Sequence, residues 1–325
     1  MALTLTLTEL YRPIEDELNL VRSNVSELWV EALRLVHGTA LPQPNVGGKM
    51  LRPALCLLSS GAAGATDLGK FVDLATAMEL LHLAALAHDD VIDGASLRHG
   101  TTSLNARWDN HTAVLGGDYL VARAVAIMTS YRSCAVIGNA IDSVRQMAEG
   151  ELRNFGRGTT HATYDGCLRL AEQKTASLFA VTCSTPTYLL DTQARDGLHH
   201  YGLALGVAFQ LVDDILDLKQ NSEALGKPSC GDVVEGKETL PILYLRECLN
   251  PAEIARLDSL KGSQITDADR EWISSMLETT GARERTEAVA RGFIDTAQNC
   301  LDCLPPSVFR DSMHSVAEFV LVRGA

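Results

Sequence analysis

The chain has 325 residues, 46% apolar and 21% charged, enough hydrophobic material for one large core or two medium ones. A formal net charge of −13 argues against nucleic acid as a partner, so any anionic ligand must be drawn in by a local basic pocket. The start, MALTLTLTELYRPIEDEL, has no basic segment leading into an apolar one, no uninterrupted apolar run has the length of a membrane span, and the eight cysteines are scattered, which predicts a cytoplasmic protein without an integral membrane segment.

Helical periodicity recurs almost throughout, and sparse aromatics beside abundant Ala and Leu favour helices over sheets. Thr8 is the expected cap of a first helix from Glu9 to about Val36, with Leu10, Leu18, Val21, Val25 and Leu28 as its apolar stripe. The Pro- and Gly-rich LPQPNVGGKM (41–50) breaks it. Further helices are predicted at about 51–64, 69–92, 111–131, 135–156, 164–190, 194–220, 240–248, 251–260, 267–278, 280–303 and 306–322. RHGTTSLN (98–105) and GRGTTHATYD (156–165) read as loops, and the short LTLTLT near the start is the one alternation of strand type. Cys300 and Cys303 form a CxxC without a second pair and read as reduced thiols. No composition shift marks a linker. The expected architecture is all-α and single-domain over 1–325, with an N-terminal helix and loop (1–46), a core (47–245) and C-terminal helices (246–325).

Two copies of one acidic pattern stand out within this frame: DDVID (Asp89, Asp90, Asp93) and DDILD (Asp213, Asp214, Asp217). A single copy reads equally well as a solvated helix end, but the lead-ins HLAALAHDDVID and GVAFQLVDDILD are both apolar, which places both clusters at the ends of buried helices. Residues i and i+4 share a helical face, so the first and third acids of each group can hold one cation together. Carboxylates against a core are costly without metal or counter-charge. Magnesium favours carboxylate and phosphate oxygens, so the pair predicts divalent ions and a diphosphate between two facing helices of a bundle.

Basic residues lie where such a site needs them. GGKMLRP (47–53) carries Lys49 and Arg52 behind a flexible glycine pair; Arg98 follows the first cluster, and Lys227 and Lys237 follow the second. Lys174 and Thr175 interrupt the apolar AEQKTASLFA, where a lysine without a partner is expensive. His82 lies two helical turns before Asp89 on nearly the same face and is read as a ligand contact, whereas His88 is read as structural.

The ordered set GGKxxRP, ELLHLAALAHDDVID, GGDYLVARA, EGE, KTASLFA, GVAFQLVDDILD and GKPxxxD…GKxTLP resembles the trans-isoprenyl diphosphate synthases, or polyprenyl synthases, over about residues 47–245. Weaker echoes lie in LYRP and AEFVLVR near the ends. The resemblance implies an antiparallel helical bundle of the isoprenoid synthase type around a central cavity, usually homodimeric. It implies a Mg2+-dependent transferase (three ions, with Mn2+ able to substitute) that joins isopentenyl diphosphate to an allylic diphosphate by ionisation, condensation and elimination. The implied metal ligands are Asp89, Asp93 and Asp213, with Asp90, Asp214 and Asp217 as further ligands or their supports. Arg98, Lys174 and Lys227, with Lys237 nearby, are implied to hold the allylic diphosphate. Lys49, Arg52 and His82 are implied to hold isopentenyl diphosphate, with Gly48 allowing close backbone approach, and Thr175, Phe209 and Gln210 to border the developing charge.

Beside that pattern the chain has Met50 and His99 where arginines are usual, and Asn154 where glutamine is common. Ala84 and Ala85, five and four residues before Asp89, are small, with Leu81, Met78 and Ala77 one or two turns deeper. In the resembled family small residues there leave a product tunnel open, so a long product of about C30–C50 is expected, with C20–C25 as the alternative. A class I terpene cyclase would instead carry a different second metal motif. A His/Asp metallophosphohydrolase built on His82, His88 and Asp89 leaves DDILD and the lysines unexplained, and a non-catalytic subunit would commonly lack the aspartates.

His99 standing in for an arginine has a measurable consequence. Its imidazole carries charge only below about pH 6.5, unless a bound phosphate raises its pKa. KM for isopentenyl diphosphate is expected to rise with pH across that range, and His99→Arg to lower it; a flat KM and an inert substitution would contradict this.

Overall fold

A computed structural model describes residues 6–37, 48–94, 97–98, 101–156, 162–219 and 229–322. Helices α1 (Leu7–Leu10) and α2 (Glu15–His37) open the chain. Thr6, not Thr8, is the cap: its side chain accepts from the Glu9 N–H while the Glu9 carboxylate accepts from the Thr6 N–H at 2.8 Å. Leu7 and Thr8, at the end of the LTLTLT alternation, therefore lie in a helix, and the expected single helix from Glu9 is divided by a 3-10 turn at Arg12–Ile14. Pro13 explains the division, since it lacks an N–H to donate.

Next come α3 (Leu51–Ala62) and α4 (Val72–Ile92), which ends in the first acid cluster. The expected loop after it holds a two-residue antiparallel pair, β1 (Leu97–Arg98) with β2 (Thr101–Thr102), and α5 (Leu104–Arg107). Then follow α6 (Asn110–Thr129), α7 (Cys134–Gly156) and α8 (Tyr164–Ala171). α8 continues through a π-helical turn, Glu172–Ala176, into α9 (Ser177–Ser184) and a 3-10 turn, Thr185–Leu189, so the helix expected over 164–190 changes pitch three times. α10 (Arg195–Lys219) carries the second acid cluster. The remaining helices are α11 (Gly231–Glu235), α12 (Leu240–Cys248), α13 (Pro251–Ser259), α14 (Asp267–Thr279), α15 (Ala282–Cys300) and α16 (Val308–Val322).

The two acid-bearing helices have different principal neighbours and share α9. α4 packs chiefly on α6, and on α3 and α2; α10 packs on α15, α9 and the π turn. One apolar core nevertheless runs from Leu10 to Val320, with Met78, Phe179 and Tyr201 among its fully buried side chains. Polar ties lock helix ends within it. The Tyr201 hydroxyl donates to the Met313 carbonyl at 2.8 Å, joining α10 to α16. The Tyr131 hydroxyl donates to the Lys70 carbonyl at 2.8 Å and accepts from the Leu74 N–H at 3.0 Å, fixing the start of α4. Among the described residues two helices, Leu68–Ile92 and Asn110–Thr129, are long and apolar enough to cross a membrane, where the sequence predicts none; the first is 67% buried within this fold.

Two glycines set how closely α10 lies against its neighbour. A Cβ on Gly202 would sit 2.5 Å from the Phe179 carbonyl oxygen, and one on Gly206 would sit 2.5 Å from the Ala176 Cα. Both obstacles are backbone atoms, which cannot rotate away as a flexible side chain would. Gly206→Ala is therefore expected to cost about 1–3 kcal/mol of stability by forcing α10 off the π turn. Denaturant unfolding measures this, and an unchanged midpoint would mean that the contact is not tight.

Candidate active site

Along the end of α4, Leu81, Ala84, Ala87 and Asp90 are buried, while His82, Ala85, Asp89 and Asp93 remain partly open. Steps of three and four residues put the latter set on one helical face. That face carries two acids, a histidine and a methyl-sized side chain one turn below Asp89. Asp93 caps the helix, its backbone N–H donating to the Asp89 carbonyl at 2.8 Å. Asn105 Nδ2 donates to the Asp90 carbonyl at 3.0 Å, tying α5 to the same turn. His88 turns away to α6, with Nε2 3.2 Å from the Val114 carbonyl and 3.4 Å from Asp118 Oδ1, in the space that Gly117 leaves open.

On α10 the spacing that brings Gly202 and Gly206 against the π turn also brings Gln210 there. Thr175 Oγ1 donates to Gln210 Oε1, and Gln210 Nε2 donates to Asp214 Oδ1 at 2.7 Å. Thr175, Gln210 and Asp214 thus form a chain in which the amide orientation is fixed at both ends. Asp217 is nearly fully buried; its carboxylate accepts the Asp232 N–H at 3.0 Å and its carbonyl accepts the Cys230 N–H at 2.7 Å. These bonds hold α11 against α10 and place the turn that follows, with Lys237, over the site.

Both outer acids of the first cluster face a lysine. Lys237 Nζ lies 3.1 Å from both carboxylate oxygens of Asp93 and also pairs with Glu235. Lys174 Nζ lies 3.6 Å from Asp89 Oδ2 and 2.8 Å from Glu151 Oε2. The π turn presents Lys174 and Thr175 together, a use for which such bulges recur at functional sites. Gly150 lets α7 come close, since a Cβ there would sit 3.0 Å from the Gln173 Cβ, and so Glu151 reaches Lys174. Burial alone would lower both ammonium pKa values. For Lys174 the carboxylates of Asp89 and Glu151 outweigh burial and the repulsion of Lys237; for Lys237, Asp93 and Glu235 do so, and both stay above the ordinary lysine range.

A second basic group lies at the start of α3. Burial pushes the Arg52 guanidinium down to about 10, while Glu79 and Asp213 oppose the shift. Arg52 Cζ stacks 4.6 Å from the centroid of the Phe179 ring, which Phe209 meets at 5.2 Å. Its Nε has no hydrogen-bond acceptor among the described residues. Glu79, deep in α4, is pushed up to about 7 by burial against the pull of Arg52. Lys49 Nζ lies 5.9 Å from the Phe319 ring centroid, and its carbonyl accepts from the Tyr11 hydroxyl at 3.0 Å. The LYRP and AEFVLVR segments therefore meet at the GGK loop, each bracing Lys49. Met50 adopts a left-handed φ of 48° and is buried, so the side chain at this departure from the usual arginine belongs to the core.

Asp89 with Lys174, Asp93 with Lys237, and Thr175 with Gln210 and Asp214 thus meet around the ends of α4, α10 and the π turn, with Asp90 on the buried side of α4 and Arg52 in the field of Asp213. Glu79, Glu151 and Glu235 were missed by the sequence reading; an acid inside the apolar AMELLH and the EGE doublet were the available signals. The side chains of Arg98 and Asn154, and His99 and Lys227 altogether, lie outside the described residues. Among the described residues no three acid, cysteine or histidine side chains converge on one point as a ready metal cage. The donor set still fits a hard divalent cation: it consists of carboxylate oxygens, and ammonium groups already stand as cations beside two of them.

Residues 39–277 match the family model described as polyprenyl synthetase. Over 316 residues the chain is 31% identical to heptaprenyl diphosphate synthase component 2 of Bacillus subtilis (strain 168), covering 95% of this chain and 89% of that protein. A polyprenyl synthase from Caulobacter crescentus CB15, solved in complex with calcium and isoprenyl diphosphate, matches at a TM-score of 0.87 and 30% identity over 100% of both chains. A decaprenyl diphosphate synthase from Rhodobacter capsulatus matches at a TM-score of 0.84 and 30% identity over 98% of this chain and 100% of that one.

Proposed function

The chain belongs to the polyprenyl synthetase family and is a prenyltransferase, and we propose that it condenses isopentenyl diphosphate with an allylic diphosphate to give a long all-trans polyprenyl diphosphate. The observation that carries the reading is the pairing of the Asp89 and Asp93 carboxylates with Lys174 and Lys237, beside the acids of α10. Asp89, Asp93 and Asp213, with Asp90, Asp214 and Asp217, are assigned to holding three Mg2+ ions. When bound, these supply positive charge that stabilises the departing diphosphate.

The protein's own groups do the rest. Lys174 and Lys237 neutralise phosphate oxygens at fixed positions, with Arg98 and Lys227 assigned to the same anion. Arg52, with Lys49, His82 and His99, is assigned to the diphosphate of the second substrate; its Nε has no acceptor among the described residues. The Thr175–Gln210 pair and the half-buried Phe209 ring are assigned to border the carbon that becomes cationic. No side chain is required as general base, because the released diphosphate is itself a proton acceptor beside the new bond. Water is excluded by the apolar wall below the acids, where Ala77, Met78, Leu81 and Ala84 are buried.

Product length follows from that wall. Ala85 lies one helical turn below Asp89 and bears only a methyl group, so an elongating chain has room to descend along α4. The B. subtilis and R. capsulatus relatives are named for heptaprenyl and decaprenyl products, in keeping with a product of about C30–C50. Residues 1–325 are assigned to one catalytic unit. A homodimer is assigned through α6, which is only one-third buried although apolar, with Leu115 65% and Val114 39% exposed.

The test is incubation with Mg2+, isopentenyl diphosphate and, separately, dimethylallyl, geranyl, farnesyl or geranylgeranyl diphosphate, with products sized by mass spectrometry. A ladder of five-carbon additions is expected to extend to about C30–C50, and Ala85→Phe to stop it several units earlier. Hydrocarbon products without consumption of isopentenyl diphosphate would contradict the reaction, and an unchanged ladder in Ala85→Phe would contradict the tunnel.

A further inference from the structure

Lys174 and Lys237 share an arrangement that substrate binding alone does not explain. Each stands between two carboxylates, one in the first aspartate cluster and one outside it: Lys174 between Asp89 and Glu151, Lys237 between Asp93 and Glu235. All six side chains are partly shielded, the two lysines being 25% and 18% exposed, so their charges are felt more strongly than those of surface pairs. Glu151 and Glu235 lie on different elements, α7 and α11, yet each offers an ammonium a second partner.

We propose that these two lysines are resident counter-cations of the aspartate cluster, displaced when divalent metal enters, and that this exchange makes metal binding depend on diphosphate. A metal ion arriving alone must evict an ammonium from Asp89 or Asp93. Glu151 or Glu235 retains the evicted ammonium, but the cation that had neutralised the aspartate is now crowded against the metal. A diphosphate relieves this, because it gives the displaced ammonium a new anion and the metal further oxygens. Coupling of this kind is reciprocal, so diphosphate and metal each strengthen the other by one factor. Glu151 and Glu235 become positioning residues, since they set where each lysine waits. The absence of a preformed three-ligand cage among the described residues agrees with this. No bond is made or broken; one cation replaces another on the same carboxylates.

The inference rests on the function proposed above but is tested apart from it, by binding of Mn2+ alone to chelator-stripped protein, followed by electron paramagnetic resonance of the free ion. Lys237→Gln is expected to bind Mn2+ at least about tenfold more tightly than the wild type, whereas Lys237→Arg, which keeps the charge, is not. Unaltered or weaker Mn2+ binding by Lys237→Gln would overturn the proposal. If that variant is not folded after stripping, Lys174→Gln decides by the same criterion at Asp89. Mn2+ should also raise the melting temperature of the glutamine variant more than that of the wild type, and an equal rise counts against the exchange. Prenyl transfer by the same wild-type preparation bears on the function alone, so either idea can fail while the other stands.

Discussion

The rest of the structure depends on one electrostatic constraint: acids from two helices must stay ionised around a shielded space. Charge of one sign at such positions is unfavourable unless opposite charge is brought to it. Here the opposite charge comes from short segments between the long helices. Lys174 arrives from a π turn and Lys237 from the turn after α11, and each reaches an acid on α4. These long-range pairs hold segments far apart in the chain to the two sides of one site.

Packing serves that placement. Because Gly202 and Gly206 have no side chain, α10 lies close against the π turn and α9, and Gln210 reaches Thr175 one turn farther on. Gly150 plays the same part for α7, bringing Glu151 to Lys174. At the other side of the site Tyr11 and Phe319, from opposite ends of the chain, brace Lys49, while Arg52 is stacked on Phe179. Distant helices thus converge on side chains within the two basic motifs, and the intervening apolar mass serves mainly to keep them there.

Much of this was legible in the sequence because its signals are local. Periodicity showed the helices, and two DDxxD patterns with apolar lead-ins showed the acid clusters. What escaped depends on geometry that periodicity does not encode. Thr6 and Thr8 are both competent caps, and only Thr6 has Glu9 three residues on to complete a reciprocal pair. The π turn keeps the apolar pattern of a helix while shifting its phase, so 164–190 reads as uninterrupted. The β1–β2 pair is two residues long, too short for alternation to register. Glu151 stands in the EGE doublet, and Glu235 looks like an ordinary helix-surface acid, until the fold sets a lysine beside each. Glu79 carried a further signal of its own, an acid between buried apolar residues of α4.

The central claim is that the acids of α4 and α10 act on one diphosphate between them. The most direct measurement is a crystal structure with Mn2+ and a non-ionisable allylic thiolodiphosphate, with metal located by anomalous scattering. The account predicts metal peaks bridging the analogue to carboxylates of both helices, with Lys174 and Lys237 turned onto phosphate oxygens. Metal confined to one helix, or a diphosphate bound away from both lysines, would contradict it.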